Sequence, residues 1–219
     1  MADYHQYVIS DGKLVAEFEA MYQRSRDIPW HQNEQDNWID VRLTTEILKD
    51  IGPFDEIHDF GCGLGYYLDI LKSRIGSVGC RTFGYDVSYT ACKKAGCLFP
   101  AAEFAVIDLM ANPLPASQPV SQSASHRLFA IRGTLWYVFP EFANVVTNLR
   151  SKMRRGELLL VVQNFPPFET DFVGKDVMPD PQALIRWFSA DFDSIRTLWY
   201  EDRMKSANDN WFIGFFVAR

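Results

Sequence analysis

The sequence has no apolar run long enough to cross a bilayer, no excess of basic residues, no paired-cysteine motif and no internal repeat. Each absence removes a class of protein. A membrane helix needs about 20 consecutive apolar residues, and Met1 to Ser10 is polar and aromatic, without the apolar centre of a secretory leader. The chain therefore reads as cytoplasmic. Lysine and arginine total 22 against 28 aspartates and glutamates, a net charge of −6, so there is no general attraction for phosphate backbones. Nucleic acid is not expected as a partner, although a local basic patch stays open. The four cysteines, Cys62, Cys80, Cys92 and Cys97, form no CxxC pair and lie at no zinc-ligand spacing from the histidines. Reduced structural thiols are expected, and no metal site.

What is present fits one compact α/β domain. The 219 residues, 47% hydrophobic and 15% aromatic, suffice for a single substantial core. In residues 1–50 helical spacing recurs at Leu14, Phe18, Met21 and Tyr22 and again at Trp38, Val41, Thr45 and Leu48, predicting two helices. Between them Pro29 and its polar neighbours, Ile28 to Glu34, predict a loop. From Glu56 onward short apolar runs alternate with helix-like stretches, the pattern of a mostly parallel sheet covered on both faces. Strands are expected at 56–60, 81–86, 103–107, 127–132, 157–163, 193–201 and 211–218, and helices at 65–75, 89–95, 140–154 and 181–189. Ala111 to Ser125, rich in Pro, Ser, Ala and Gln, reads as a surface loop. Only Asp202 to Asn210 separates the last two strands, too little chain for a crossover helix, so they should pair antiparallel.

The strongest local signal is Glu56-Ile57-His58-Asp59-Phe60-Gly61-Cys62-Gly63-Leu64-Gly65-Tyr66, a strand entering a glycine-rich turn and then a helix. Glycine permits positive φ and close approach of a ligand to the backbone, and the first turn of a helix offers unpaired N–H groups. Such a turn is a candidate nucleotide cradle.

Asp59-Phe60-Gly61-Cys62-Gly63-Leu64-Gly65 resembles the Asp-x-Gly-x-Gly-x-Gly first motif of class I S-adenosylmethionine-dependent methyltransferases of the small-molecule type. The resemblance spans roughly residues 54–219. It implies a Rossmann-like three-layer sandwich with a mostly parallel seven-stranded sheet and an antiparallel last strand. It also implies S-adenosylmethionine as cofactor and an N-terminal helical cap, residues 1–50, over a core of residues 51–219. The cofactor residues it implies are Asp59, Gly61, Cys62, Gly63 and Gly65 at the turn, Asp86 for the ribose hydroxyls with Val87 beside it, Asp108 for the adenine amino group with Leu109, and Arg132. Asp86 follows the glycines by about twenty residues, as in other nucleotide-binding βαβ units. A nicotinamide or flavin fingerprint needs a third glycine where Tyr66 stands.

The expected activity is methyl transfer to oxygen or nitrogen of a small molecule: a sugar, a polysaccharide precursor or a secondary metabolite. Many small-molecule relatives carry a histidine after the fourth strand, where this chain has Trp136 and Tyr137. The candidates for proton removal are therefore His31 with Glu34 to orient it, and Tyr137. His58, inside the first strand, reads as a core residue, and His5 and His126 as solvent-facing. Asn164-Phe165-Pro166-Pro167-Phe168 is similar to the Asn-Pro-Pro-Tyr element of amino-methylating nucleic-acid enzymes, but follows the fifth strand where those enzymes carry it after the fourth. It keeps open the alternative of a protein or nucleic-acid methyltransferase. The missing histidine keeps open a non-catalytic S-adenosylmethionine-binding module.

Overall fold

The computed structural model describes residues 3–10, 12–111, 126–201 and 210–219. Most of the expected loop at Ala111 to Ser125, and the turn between the last two strands, lie outside these residues. The chain separates into two compact units, Met1–Asp108 and Leu109–Arg219.

In the first unit a short 3-10 helix, Asp3–Tyr7, leads into two minimal antiparallel strands, β1 (Ile9–Ser10) and β2 (Lys13–Leu14). Helix α1 (Phe18–Arg24), a 3-10 segment (Pro29–Asn37) and helix α2 (Ile39–Ile51) follow. Then come β3 (Phe54–Phe60), α3 (Tyr66–Ile75), β4 (Gly76–Asp86), α4 (Tyr89–Leu98) and β5 (Glu103–Val106). The strands lie in the order β5-β4-β3, all parallel. Two expectations are corrected here. Leu14 belongs to a strand, not to the first helix, and the predicted loop after Ile28 is wound as 3-10 helix, interrupted where Trp30 and His31 adopt φ of 52° and 49°. Pro29 at the start of that segment has no N–H to lose and a preset φ, so it starts the segment as readily as it would break a longer helix.

The second unit holds β6 (Arg127–Arg132), the short helix α5 (Leu135–Val138), α6 (Phe142–Ser151), β7 (Leu158–Phe165), α7 (Pro181–Phe188), β8 (Phe192–Tyr200) and β9 (Asn210–Ala218). Its strand order is β6-β7-β9-β8, with β6 and β7 parallel and β9 antiparallel to both its neighbours. At the amino end of β6, Arg127, 2% exposed, forks onto Glu157 through Nε and Nη2 at 2.5 and 2.6 Å, the geometry that makes a buried guanidinium tolerable. Helix α7 starts on Asp180, whose carboxylate accepts the Ala183 N–H at 2.7 Å, with Pro181 in the first helical position.

The architecture is the expected one, a Rossmann-like α/β sandwich with a seven-stranded mixed sheet. Both units put near-continuous apolar strands in their cores: Phe54, Ile57 and Phe60 in the first, Leu158 to Val162 and Phe212 to Phe216 in the second. Among the described residues no helix is long and apolar enough to cross a membrane.

Candidate functional site

The turn Gly61–Gly65 leaves β3 at its carboxyl end, the edge at which open α/β sheets bind ligands. Its five N–H groups are all used. Those of Gly61 and Cys62 donate to the Tyr85 carbonyl at 2.7 and 2.9 Å, and that of Gly65 to the Cys62 carbonyl at 2.9 Å. Gly63 N–H donates to Asp86 Oδ2 at 2.9 Å, and Leu64 N–H to Gln32 Oε1 at 2.8 Å. Any unpaired N–H groups at this edge are therefore those expected of the first turn of α3, not those of the glycine turn. What it offers a ligand is close approach and carbonyl oxygens, with no array of donors to receive a phosphate.

The last two glycines have distinct uses. Gly63 has φ of 55°, and a Cβ there would lie 2.5–2.6 Å from the Gln32 amide and the Tyr22 hydroxyl. Gly65, the residue before α3, has φ of 84°, and its Cβ would meet the Phe104 ring at 2.9 Å and Phe99 at 3.2 Å. The third glycine is therefore required by packing of the turn against β5, whether or not a ligand is bound.

Asp86 ends β4 at 8% exposure. Besides Gly63 it accepts the Ser88 N–H through Oδ1 at 2.9 Å. Burial pushes its carboxyl above the ordinary aspartate value, against the pull of the N–H donors of Ser88, Gly63 and Val87. The resemblance implies a ligand role for Asp86; what the structure shows is that it fixes the shape of the turn. A carboxylate has about four acceptor directions, so capacity for a hydroxyl donor remains. Val87 beside it is exposed, an apolar face next to an acceptor. Acceptors and an apolar face, without an anion cradle, suit an adenosyl group.

The segment before β3 is fastened over this region by side chains that sequence reasoning missed. Glu19 of α1 accepts from the Ser88 and Thr90 hydroxyls at 2.5 Å each and from the Thr90 N–H at 3.1 Å, so it caps α4 from outside that helix. Those bonds hold its carboxyl down at about 2 against the ordinary 4.5. Gln32 Nε2 donates to Tyr22 Oη at 3.2 Å while its Oε1 holds the turn. Arg74 of α3 pairs with Asp36 at 2.6 Å. Buried Gln35 donates to the Trp30 carbonyl at 2.8 Å, bracing the left-handed residues.

The structure brings His31 and Glu34 together, with Nδ1 and Oε2 3.9 Å apart, and leaves both exposed. Asp59 and Cys62 are buried, and burial, then the charges of Asp86 and Asp59, push the Cys62 thiol well above its ordinary value. This thiol is not a nucleophile. His58 is 2% exposed, stacked on Phe83 at 4.8 Å, with Nδ1 3.1 Å from the Tyr85 hydroxyl and Nε2 3.6 Å from Glu56. It is a core residue, as expected. His5 is exposed and stacks on Tyr4, while His126 is half-buried. Asp108 is half-buried at the end of the first unit.

Leu109, Arg132 and Tyr137 belong to the second unit. Leu109 is buried and its carbonyl accepts from Asn148 at 2.8 Å. Arg132 ends β6 with its guanidinium 5.2 Å from the centre of the Trp211 ring. Tyr137, half-buried in α5, donates its N–H to the Thr134 carbonyl. Gln163, fully buried, accepts the Leu135 N–H, and Trp136 Nε1 donates to the Asn164 carbonyl at 2.7 Å, so α5 is pinned to the carboxyl end of β7. An aromatic group surrounds that end. Trp136 meets Phe165 and Phe172 edge-on at 5.3 and 5.2 Å, and Phe168 stacks on Trp199 at 5.1 Å.

This fold is that of the class I S-adenosylmethionine-dependent methyltransferases. Among solved structures, the chain is similar to the N-methyltransferase NodS from Bradyrhizobium japonicum in complex with S-adenosyl-L-homocysteine, at 14% identity, with 91% of this chain and 97% of that one covered and a TM-score of 0.65. It is similar to magnesium protoporphyrin IX methyltransferase from Synechocystis with bound cofactor, at 15% identity over 99% and 90% of the two chains and a TM-score of 0.56. The [4+2]-cyclase SpnF also resembles it, at 13% identity over 81% and 80% with a TM-score of 0.60. No family model and no curated protein sequence matches the chain.

Proposed function

We propose that the chain transfers a methyl group from S-adenosylmethionine to an oxygen or nitrogen of a small molecule, in the class of sugars, polysaccharide precursors or secondary metabolites. The observation that carries the cofactor reading is the glycine turn whose N–H donors are all spent. A pyrophosphate would have only the first-turn N–H groups of α3 to meet it, and Tyr66 stands where a dinucleotide turn uses its third glycine, whereas an adenosyl ligand has no phosphate to be met. The methyltransferase fold supports the reaction class.

When bound, the sulfonium supplies a methyl carbon already activated for displacement, so the protein's task is alignment. In this reading Asp59, Gly61, Cys62, Gly63 and Gly65 form the wall that the ligand approaches, Asp86 accepts from ribose hydroxyls and Val87 covers one face of the base. Asp108, Leu109 and Arg132 keep the cofactor roles that the resemblance implies. His31, with Glu34 beside it, is the proposed proton acceptor of the first unit, and Tyr137 that of the second. The protein is an enzyme of the cytoplasm in this proposal, with a small-molecule partner. Isothermal titration with S-adenosylmethionine and S-adenosylhomocysteine tests it. Micromolar binding of both is expected, and binding of neither, or of a nicotinamide dinucleotide instead, rejects it.

A further inference from the structure

Resting on that cofactor reading, we propose that Gln32 is a cofactor-contact residue, which recognises the charged amino-acid end of the adenosyl ligand rather than its nucleoside. Four of the five turn N–H groups are satisfied from within the turn or by β4, through Tyr85, Asp86 and Cys62. The fifth, on Leu64, is held by a side chain from a different part of the chain, 32 residues away. That side chain lies against the bare Cα of Gly63, in the space a Cβ would need. Gly63 thus leaves room for the Gln32 amide on the side of the turn to which the cap segment is fastened.

The amide's chemistry assigns the ligand group. Its oxygen is used on Leu64, and one of its two N–H donors on Tyr22 Oη. The second N–H has no partner among the described residues, and the side chain is only half-buried. A donor beside a turn without donors of its own is the group that a carboxylate in that space would select. Asp86, on the neighbouring Gly63 N–H, is an acceptor and gives a carboxylate nothing to bind, while the Lys94 ammonium nearby is engaged on the Tyr22 carbonyl, which leaves the Gln32 amide as the donor placed against the turn. The left-handed Trp30 and His31, immediately before Gln32, set the direction from which the amide reaches the turn. Gln35 and the Arg74–Asp36 pair hold that geometry.

The test compares two probes by titration calorimetry: S-adenosylhomocysteine, which carries the amino-acid end, and 5′-methylthioadenosine, which lacks it. For Gln32→Ala, S-adenosylhomocysteine is expected to weaken about tenfold while 5′-methylthioadenosine stays within about twofold. Gln32→Glu, nearly isosteric and anionic, should weaken the first probe further and again spare the second. Melting temperatures of both variants report whether the fold survives. If both probes weaken equally, if neither changes, or if S-adenosylhomocysteine tightens, Gln32 does not contact the amino-acid end and the proposal is overturned. If the unsubstituted protein binds neither probe, the cofactor reading fails first, which is a separate and recognisable result.

Discussion

The carboxyl edges of the strands in the two units are built from different materials. At the carboxyl ends of β3 and β4 the surface is backbone: a turn held by five hydrogen bonds, one buried carboxylate and glycines whose missing Cβ atoms are filled by neighbours. At the carboxyl ends of β6 and β7 it is side chain: Trp136, Phe165, Phe168, Phe172 and Trp199 in mutual ring contact. A surface built from backbone constrains its sequence tightly. A surface of aromatic side chains can be refashioned by substitution without disturbing the strands beneath it.

Substitutions should separate the two edges. The largest effect is expected from Gly63→Ala, which combines a left-handed residue with three contacts at 2.5–2.6 Å. It should cost roughly 3–5 kcal/mol of stability and abolish S-adenosylhomocysteine binding, read by chemical denaturation and calorimetry. Asp86→Ala comes next. It strands the N–H groups of Gly63 and Ser88, so a stability loss of about 2–4 kcal/mol should accompany a loss of about 2–3 kcal/mol in cofactor affinity. Unchanged affinity in a folded Asp86→Ala protein would reassign the residue to structure alone.

Glu19 should show itself in acid. Its folded carboxyl titrates at about 2 and its unfolded one near 4.5, so its contribution is complete above 4.5 and is lost as the pH falls toward 2. Urea midpoints across that window should decline more steeply in the natural protein than in Glu19→Gln, and parallel declines would show that the three Ser88 and Thr90 bonds contribute nothing. The smallest effect is expected at the aromatic edge. Phe168→Ala removes the stack on half-exposed Trp199, worth about 0.5–1.5 kcal/mol, and should leave S-adenosylhomocysteine affinity untouched. A marked loss of cofactor binding there would erase the contrast between the edges.

The same contrast explains what could be read in the sequence. The glycine turn, Asp86 and the seven strands were legible because each rests on local rules: residue types that a backbone shape requires, alternating runs, and a connection too short for a crossover. Strand bounds agree closely, as at 127–132, although β4 begins at Gly76, well before the expected 81, because Gly76-Ser77-Val78-Gly79-Cys80 carries two glycines and no apolar run to signal a strand. Gln32, Glu19 and Tyr22 were not legible. Their bonds reach residues 32, 69 or more positions away, or serve another side chain, and no spacing rule marks them. Positive φ at Trp30 and His31 was equally hidden, since tryptophan does not favour it and histidine, though enriched there, adopts it too seldom to mark the position. Pairing of His31 with Glu34 was readable from their three-residue separation, while the identity of an acceptor was not, because rings that line an edge also simply pack.

A turn that satisfies its own donors keeps its shape with or without a guest. No loop ordering is charged against binding at that point, so association there should be fast and its entropy change small, and the amide protons of Gly61 to Gly65 should exchange slowly even in ligand-free protein. The scaffold arrives at the encounter already set, and whatever adaptation a newcomer demands must come from the side chains around it.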